Sequence, residues 1–215
     1  MKKIESAPSK AWRLLWSRNL HIFGVIILFF ILLGGVTSGS AYTITFEGFD
    51  DSTPITDQYS GLGVTFSGAT ILTAGISLNE FEFPPSSGVN VLFDDGGPIN
   101  ISFSDPVQAF ESYFTYAVPL TLEFFDSSDA SVATITSAYS SNMALSGDPG
   151  SSPNELLGLT YLPGIAKITI TGDLSGASFT MEDLTATPVP IPGSLWHFLS
   201  GLILIAGGAW RRLRA

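Results

Sequence analysis

The chain has 215 residues, of which 45% are hydrophobic and only 13% charged, and its formal net charge is −10. Residues 42–187 carry 18 Asp and Glu but a single basic residue, Lys167. Because nucleic acids and anionic lipid surfaces are bound by clustered Lys and Arg, this charge excludes both as partners of the middle region. Cysteine is absent, which excludes a disulfide framework, a thiol nucleophile and a Cys-based zinc site.

Residues 1–41 have the pattern of a secretory signal peptide, in which basic residues precede an apolar core at 22–36. Gly39 and Ala41 occupy the small-residue positions before a cleavage site, which predicts a cut after Ala41. The alternative is an uncleaved anchor helix, although a core of about 15 residues is short for a membrane span. The basic residues of this segment are Lys2, Lys3, Lys10, Arg13 and Arg18.

Residues 42–187 predict an all-β domain, because apolar and polar residues alternate in several short runs that are separated by turn sequences. About eight or nine strands in this length predict a single jelly-roll-like β-sandwich whose core is filled by Phe and Tyr. The runs are residues 43–48, 63–67, 99–104, 120–124, 131–136, 166–171 and 177–181. The turns are residues 94–98, 127–129, 147–150 and 162–164.

The middle region lacks the residues of most catalytic sites. The only two histidines, His21 and His197, lie in the apolar end segments, and residues 42–187 contain no Arg. A Ser–His–Asp triad, a Cys–His pair and a His-liganded zinc site are therefore excluded there. The sequence predicts a protein that is not an enzyme.

Paired carboxylates leave one catalytic alternative, glycoside cleavage. Glu80 and Glu82 would share one face of a strand, and Asp94 stands beside Asp95. Acids are so frequent here that neighbouring carboxylates are expected by chance, and we interpret both pairs as solvated surface. The alternation of Glu80 and Glu82 with Phe81 and Phe83 predicts that the phenylalanines face the core.

The last 28 residues combine prolines, an apolar segment and a basic end. Residues 191–210 are long enough for a transmembrane helix, at about 1.5 Å per residue. Arg211, Arg212 and Arg214 follow at once, and such residues stay on the cytoplasmic side. Both ends of the chain therefore place residues 42–187 on the far side of the membrane. A plain C-terminal anchor helix is the alternative.

This tail resembles the PEP-CTERM sorting signal of Gram-negative bacteria, as a Val-Pro-x-Pro variant that lacks the Glu of the family's motif. The resemblance implies that an exosortase recognises the proline motif and removes the span. It also implies transit through the inner membrane to the cell surface or an exopolysaccharide matrix. The matching residues are Pro188, Pro190, Pro192, Gly193, Leu195, Trp196, Ser200, Gly201, Leu202, Arg211 and Arg212.

The middle region resembles the extracellular sandwiches attached to such tails, and distantly the carbohydrate-binding modules, in stretches such as residues 44–49, 55–69 and 79–107. In sandwiches of that type a structural calcium often lies where the first and last strands meet. The resemblance places Glu47 and Asp183 there, as candidate calcium ligands in the first and last strands. The alternative is that both are ordinary exposed acids.

These patterns predict an exported, non-enzymatic protein of the cell surface or exopolysaccharide matrix. Its partners would be an exosortase-type enzyme, the membrane during export and an exopolysaccharide. The alternative is a carbohydrate-binding module acting at that matrix. Sugar binding needs an aromatic platform, and the region offers tyrosines but no Trp. Core filling is the expected role of most of the tyrosines that are available for stacking, which are Tyr59, Tyr113, Tyr116, Tyr139 and Tyr161.

Overall fold

A computed structural model describes residues 36–37 and 39–192, which belong to two compact units. One unit comprises residues 39–189, close to the predicted boundaries of 42–187. Most of the predicted signal peptide and sorting signal therefore lies outside the described residues. Among the described residues, no helix is long and apolar enough to cross a membrane.

The second unit contains the two ends of the chain. Its described part is a pair of antiparallel two-residue strands, β1 (Val36–Thr37) and β11 (Ile191–Pro192). Ile191 and Pro192 are the first two residues of the predicted transmembrane helix, and they lie in a strand. The predicted start of that helix at residue 191 is therefore wrong. The rest of that predicted helix lies outside the described residues.

All strand pairs in the unit 39–189 are antiparallel, and its only described helix is the 3₁₀ turn Ser60–Leu62. The all-β prediction is confirmed, whereas the finer jelly-roll assignment stays a prediction. The strands are β2 (Tyr42–Ile44), β3 (Val64–Ser67), β4 (Ala69–Thr73), β5 (Asn90–Asp94), β6 (Ile99–Tyr116), β7 (Thr121–Phe125), β8 (Ser131–Thr136), β9 (Glu155–Thr171) and β10 (Phe179–Pro188).

The strands form two layers, because the long strands β6 and β9 each contribute one half to each layer. Residues 99–103 of β6 lie between β3 and residues 167–170 of β9. Residues 107–116 of β6 lie instead between β10 and the first half of β9. All nine strands are hydrogen-bonded into one continuous sheet. By their pairs, layer A has the order β3, β6, β9, β7, β8. Layer B has the order β4, β5, β10, β6, β9, with β2 also paired to β10.

Irregular pairing marks the bend at which β6 and β9 pass between the layers. The register between them shifts from Ser102 to Val107. The predicted turn at 162–164 falls in this bend, inside β9, as a bulge rather than a strand end. The C-terminal end of the unit lies here, because Pro188 pairs with Val107 and the Val189 N–H donates to the Pro106 carbonyl at 3.3 Å. The N-terminal end lies here too, because Gly39 is next to Pro188. We call residues 103–107 and 161–165 the corner.

Aromatic side chains join the two layers across one core. Phe110 of layer B meets Phe124 of layer A edge-to-face, with 6.0 Å between ring centroids. Phe46, which follows β2, meets Phe66 of β3 in the same way at 5.8 Å. All four rings are buried. Such pairs contribute about 0.5–1.5 kcal/mol beyond the burial of their area. The prediction that aromatic side chains fill the core is confirmed for these four rings.

Several elements differ from the sequence-based expectation, because β4, β5 and long parts of β6 and β9 lie outside the predicted runs. β5 was not predicted because four of its five residues are buried, so it has no apolar and polar alternation. Residues 79–83 form a turn instead of a strand, in which the Phe83 N–H donates to the Asn79 carbonyl at 2.9 Å. Phe81 is 72% exposed, and the expectation that it faces the core is wrong.

Candidate functional site

Two long loops, residues 79–88 and 137–154, meet at the end of layer B opposite the corner, and we call them the distal tip. The Ala144 N–H donates to the Glu82 carbonyl at 3.0 Å, which joins the loops to each other. The Asn142 N–H donates to the Tyr116 carbonyl at 3.0 Å, which joins the second loop to the end of β6. From Val107 to Tyr116, β6 rises about 3.3 Å per residue, so the tip lies about 30 Å from the corner.

Asn142 completes the hydrogen bonding at the end of β6. It is fully buried, its Oδ1 accepts the Tyr116 N–H at 2.7 Å, and its Nδ2 donates to the Phe114 carbonyl at 2.9 Å. The side chain thus takes the place of a neighbouring strand residue. Because buried backbone groups must be paired, these bonds fix the loop on the sheet.

Tyr116 and Glu155 fix the other side of the same loop. The Tyr116 hydroxyl donates to the Glu155 carboxylate, which also accepts the Ala138 N–H at 3.1 Å. Burial, together with the bond to Glu155, raises the pKa of Tyr116 to about 12. The hydroxyl therefore keeps its proton, and its role as donor, at neutral pH.

Glu82 clips the two loops of the tip together. Its Oε2 accepts the N–H groups of Leu145 and Ser146 at 3.0 and 3.1 Å. The bond from the Leu145 N–H is the main cause that lowers the pKa of Glu82, so the carboxylate stays ionised. These two hydrogen bonds fix the 79–83 turn against the 143–147 segment.

Two large apolar side chains project from the clipped backbone. Phe81 precedes Glu82 and is 72% exposed, and Leu145 is 76% exposed. Tyr139, in the same loop, is partly exposed and donates its hydroxyl to the Gly150 carbonyl at 3.0 Å. An exposed aromatic ring on a fixed turn, next in sequence to a carboxylate, is suited to pack against the apolar face of a ligand that also has polar groups.

A cluster of three carboxylates, Glu47, Glu182 and Asp183, holds the segment 84–90. Glu182 is buried at 1% exposure on the outer face of β10, and its Oε2 accepts the N–H groups of Ser86 and Ser87 at 2.6 and 3.2 Å. Burial, reinforced by the charges of Asp183 and Glu47, raises the pKa of Glu182 to about 7.

Glu47 reaches this segment because of a glycine. Its Oε1 accepts the N–H groups of Val89 and Asn90, both at 2.9 Å. Gly88 has φ +58°, and a Cβ there would collide with the Glu47 carboxylate. A side chain at position 88 would therefore displace Glu47 from its two donors.

The structure brings the predicted calcium residues to one place but does not assemble a metal site from them. The first and last strands of the domain do pair, with Ile44 opposite Leu184. Glu47 lies just beyond β2, and Asp183 accepts the Ser87 hydroxyl at 2.8 Å. Among the described residues, no three or more His, Asp or Glu side chains are arranged to hold a metal ion. Two carboxylates supply too few of the six to eight oxygens that calcium takes.

The carboxylates considered for glycoside cleavage have other roles. Glu82 is the clip of the distal tip. Asp94 is fully buried and accepts the Ser178 N–H and hydroxyl at 2.8 and 2.6 Å and the Phe179 N–H at 2.9 Å. The interpretation of Asp94 as solvated surface is wrong, because it ties β5 to the start of β10.

The predicted processing residues that belong to the unit 39–189 lie near the corner. Ala41 is exposed and directly precedes β2, and Gly39 packs against Pro188, the last residue of β10. Pro190 is described but belongs to no strand. Three more of these residues, Gly193, Arg211 and Arg212, lie outside the described residues.

Sequence reasoning missed Asn142, Glu182 and Phe81. Asn142 and Glu182 stand among many similar polar residues, and nothing in the sequence tells a buried one from a solvated one. A signal for Phe81 was present, because Pro84-Pro85-Ser-Ser-Gly88 makes a strand over 79–83 improbable.

Comparisons with known proteins give distant similarities only. No family model matches the chain, and no curated protein matches it. A crystal structure of the K2 cleaved adhesin domain of Lys-gingipain aligns with a TM-score of 0.43 at 13% identity, covering 69% of this chain and 99% of that one. The xylan-binding domain CBM22-1 of a Paenibacillus barcinonensis protein aligns with a TM-score of 0.39 at 13% identity, covering 73% of this chain and 99% of that one.

A family 29 carbohydrate-binding module aligns with a TM-score of 0.35 at 10% identity, covering 69% of this chain and 91% of that one. At such identities and TM-scores, these similarities identify neither a family nor a ligand for this chain. The functional argument therefore depends on the chain's own residues.

Proposed function

We propose that residues 42–187 form a non-enzymatic glycan-binding domain of the cell surface or exopolysaccharide matrix, with the distal tip as its binding surface. The observation that carries this proposal is the 72% exposure of Phe81 on a turn whose backbone Glu82 fixes. The C–H face of a sugar ring can pack on this ring, while its hydroxyls reach carboxylate and backbone oxygens nearby. Because the turn is fixed before binding, little entropy is lost in ordering it.

Binding without catalysis fits the chemistry of the region. Residues 42–187 lack His, Cys and Arg. Glycoside cleavage would need two carboxylates free to exchange protons with the substrate. Glu82 and Asp94, one from each candidate pair, are committed to backbone donors.

A glycan array tests this proposal. The full-length chain, purified in mild detergent, should bind a defined subset of polysaccharides, and Phe81→Ala should weaken that binding at least about tenfold, as for a central aromatic contact. Leu162→Ala is the matched control, because Leu162 is 71% exposed at the corner, about 30 Å from the distal tip. An unchanged thermal midpoint in both variants separates binding from folding. Equal losses in the two variants, or no binding at all, would overturn the proposal.

The C-terminal sequence favours a second function, sorting by an exosortase-type enzyme. Its support is the order of prolines, apolar segment and arginines in residues 188–214. Pro188 also ends β10, so its replacement could disturb the domain itself. The cleaner variant is Pro190→Ala with Pro192→Ala, which should leave a full-length protein in the inner membrane. Normal processing of that variant, read by mass spectrometry of the mature protein, would contradict the sorting function.

The two functions are compatible in geometry. Residues 39 and 189 both lie at the corner, about 30 Å from the distal tip along β6. A tether at either end of the domain leaves the tip free for a ligand in the matrix.

A further inference from the structure

The edges of the two layers are protected unequally. Segment 52–56 covers β4, where the Ile71 N–H donates to the Thr53 carbonyl at 2.9 Å, and β3, where the Phe66 N–H donates to the Thr56 carbonyl at 2.7 Å. The first half of β9, residues 155–160, pairs with β6 on one side. In the described part of the chain, no other backbone group bonds to its second side. Half of the backbone donors and acceptors of this edge therefore face outward.

This edge has few of the features that prevent strand addition. Natural edge strands are usually blocked by Lys, by Pro or by a bulge. Between Leu156 and Tyr161 the edge has no charge and no Pro, and Leu156 is 50% exposed. Pro163 and the corner bulge end the open stretch on one side. The open stretch is thus about six residues long, a normal strand length.

A groove lies beside the open edge on the outer face of layer B. It has a volume of about 290 Å³ and is lined by residues 109–111 of β6 and by Leu156 and residues 158–160 of β9. Gly158 pairs with Glu111 and forms the floor, because a Cβ at position 158 would collide with the Phe110 carbonyl and the Glu111 side chain. The only charged residue of the groove is Glu111, which is exposed and makes no side-chain hydrogen bond or ion pair within the described residues.

Strand spacing sets which side chain could reach Glu111. A strand added to β9 would be two spacings from β6, which is about 9.6 Å. A Lys or Arg on that strand, opposite Gly158, spans this distance together with the Glu111 side chain. The surrounding charge favours a basic partner too, since residues 42–187 carry one basic residue against 18 acids. A second copy of the chain would bring the same negative charge and be repelled.

We infer that the first half of β9 is a docking edge for an extended polypeptide segment, which adds a strand to layer B and places a Lys or Arg over Gly158 against Glu111. Backbone hydrogen bonds supply the affinity, and the Glu111 carboxylate supplies the preference for a basic residue. This inference does not rest on the glycan proposal, because it uses a different surface.

Hydrogen exchange with designed peptides tests the inference. The probe is a capped octapeptide of alternating Thr and Val with one central Lys, added to the full-length chain in mild detergent. At ten times its dissociation constant, the peptide should slow amide exchange in residues 156–162 by about tenfold. The same peptide with a central Glu should bind more weakly, and one with two internal prolines should not bind, because it cannot pair.

Two variants locate the contact. Glu111→Gln should weaken the Lys peptide by about two- to fivefold, the range of a partly exposed ion pair, and leave the Glu peptide no weaker. Glu123→Gln on β7 in layer A is the matched control and should change neither. Protection at β8 instead of β9, equal binding of the Lys and Glu peptides, or concentration-dependent protection of residues 156–162 without peptide would each overturn the inference. The last result would mean that a second copy occupies the edge.

Discussion

The outer faces of the two layers differ although their strands share one sequence pattern. On layer A a row of polar side chains runs across five paired strands and stays at least partly exposed: Ser67, Asn100, Thr169, Glu123 and Thr134. On layer B the corresponding polar residues Thr115, Thr180 and Glu182 are each at most 2% exposed. The difference comes from the loops, since 79–88 and 137–154 lie over the half of layer B next to the distal tip, whereas Glu111 and Gly158, nearer the corner, stay exposed.

The covered face shows what burial demands of polar residues. Thr115 exchanges hydrogen bonds with Asn154 at 3.0 and 3.2 Å, and Glu182 accepts two backbone N–H groups. In the described residues, every buried side-chain nitrogen or oxygen has a partner. Layer B thus carries its loops on a bonded polar network, whereas the outer face of layer A meets solvent directly. Substitutions should therefore cost far more on layer B than on layer A.

Asn142→Ala should have the largest effect. It leaves the Tyr116 N–H and the Phe114 carbonyl without partners in the interior, which should lower the unfolding free energy by about 2–5 kcal/mol. Asn100→Ala on layer A loses only the bond from the Thr169 hydroxyl and should cost less than about 1 kcal/mol. Urea unfolding of both variants checks the contrast, which similar losses would contradict.

The pH dependence of stability should come largely from layer B. The pKa of Glu182 is about 7 in the folded chain, above its ordinary value of 4.5, so the native state holds this proton more tightly than the unfolded chain. The resulting stability is complete below pH 4.5 and is lost as the pH rises through 7, by up to about 3 kcal/mol at 1.36 kcal/mol per pKa unit. Glu182→Gln should flatten the profile between pH 4.5 and 7.

Thermal unfolding across this pH window, followed by circular dichroism, measures the effect. Glu123→Gln on layer A is the control and should keep the wild-type profile. A wild-type midpoint that rises with pH over this range would give the opposite sign and exclude the role assigned to Glu182.

Calcium should have no effect on the layer B cluster, because Glu47 and Asp183 alone supply too few of the oxygen ligands that this ion takes. Millimolar calcium should therefore leave the thermal midpoint of the wild type unchanged. A midpoint that calcium raises in the wild type but not in Asp183→Asn would restore the predicted calcium site.

The smallest effect of a substitution should follow Lys167→Ala on layer A. The Lys167 Nζ lies 2.7 Å from the Asp129 carboxylate and 4.4 Å from the Phe125 ring centroid. The side chains of Lys167 and Asp129 are 35% and 79% exposed. Exposed pairs of this kind contribute about 0.2–1 kcal/mol. High salt should remove most of the difference between wild type and variant, and a salt-independent loss would indicate packing instead.

How much the sequence predicts follows from the same contrast. Alternation predicts β8 with its bounds, and it predicts β3 and β7 to within one residue. The meeting of the first and last strands was implied by the resemblance to carbohydrate-binding sandwiches and not by alternation, and the two strands do pair. Alternation reports which residues face opposite sides of a strand, and this information is enough on an open layer.

Alternation could not predict which loops cover the outer face of layer B. Asp94 and Glu182 look like the other acids of the chain, yet each is buried at 1% or less. Their burial depends on hydrogen bonds from segments that are far away in the sequence. The Ser86 N–H donates to Glu182, and the Ser178 N–H donates to Asp94. The candidate site at the distal tip was missed for the same reason. The exposed position of Phe81 depends on Glu82, whose side chain joins the loops 79–88 and 137–154.

The position of Lys167 has a consequence for resistance to proteases. Trypsin-like proteases cut only after Lys or Arg, and residues 42–187 contain one such position. It lies inside β9, where residue 167 is hydrogen-bonded between β6 and β7, and its side chain is held by Asp129. A protease must bind its substrate as an extended strand, which this ladder does not release. The folded domain therefore has no accessible cleavage point for this whole class of enzymes.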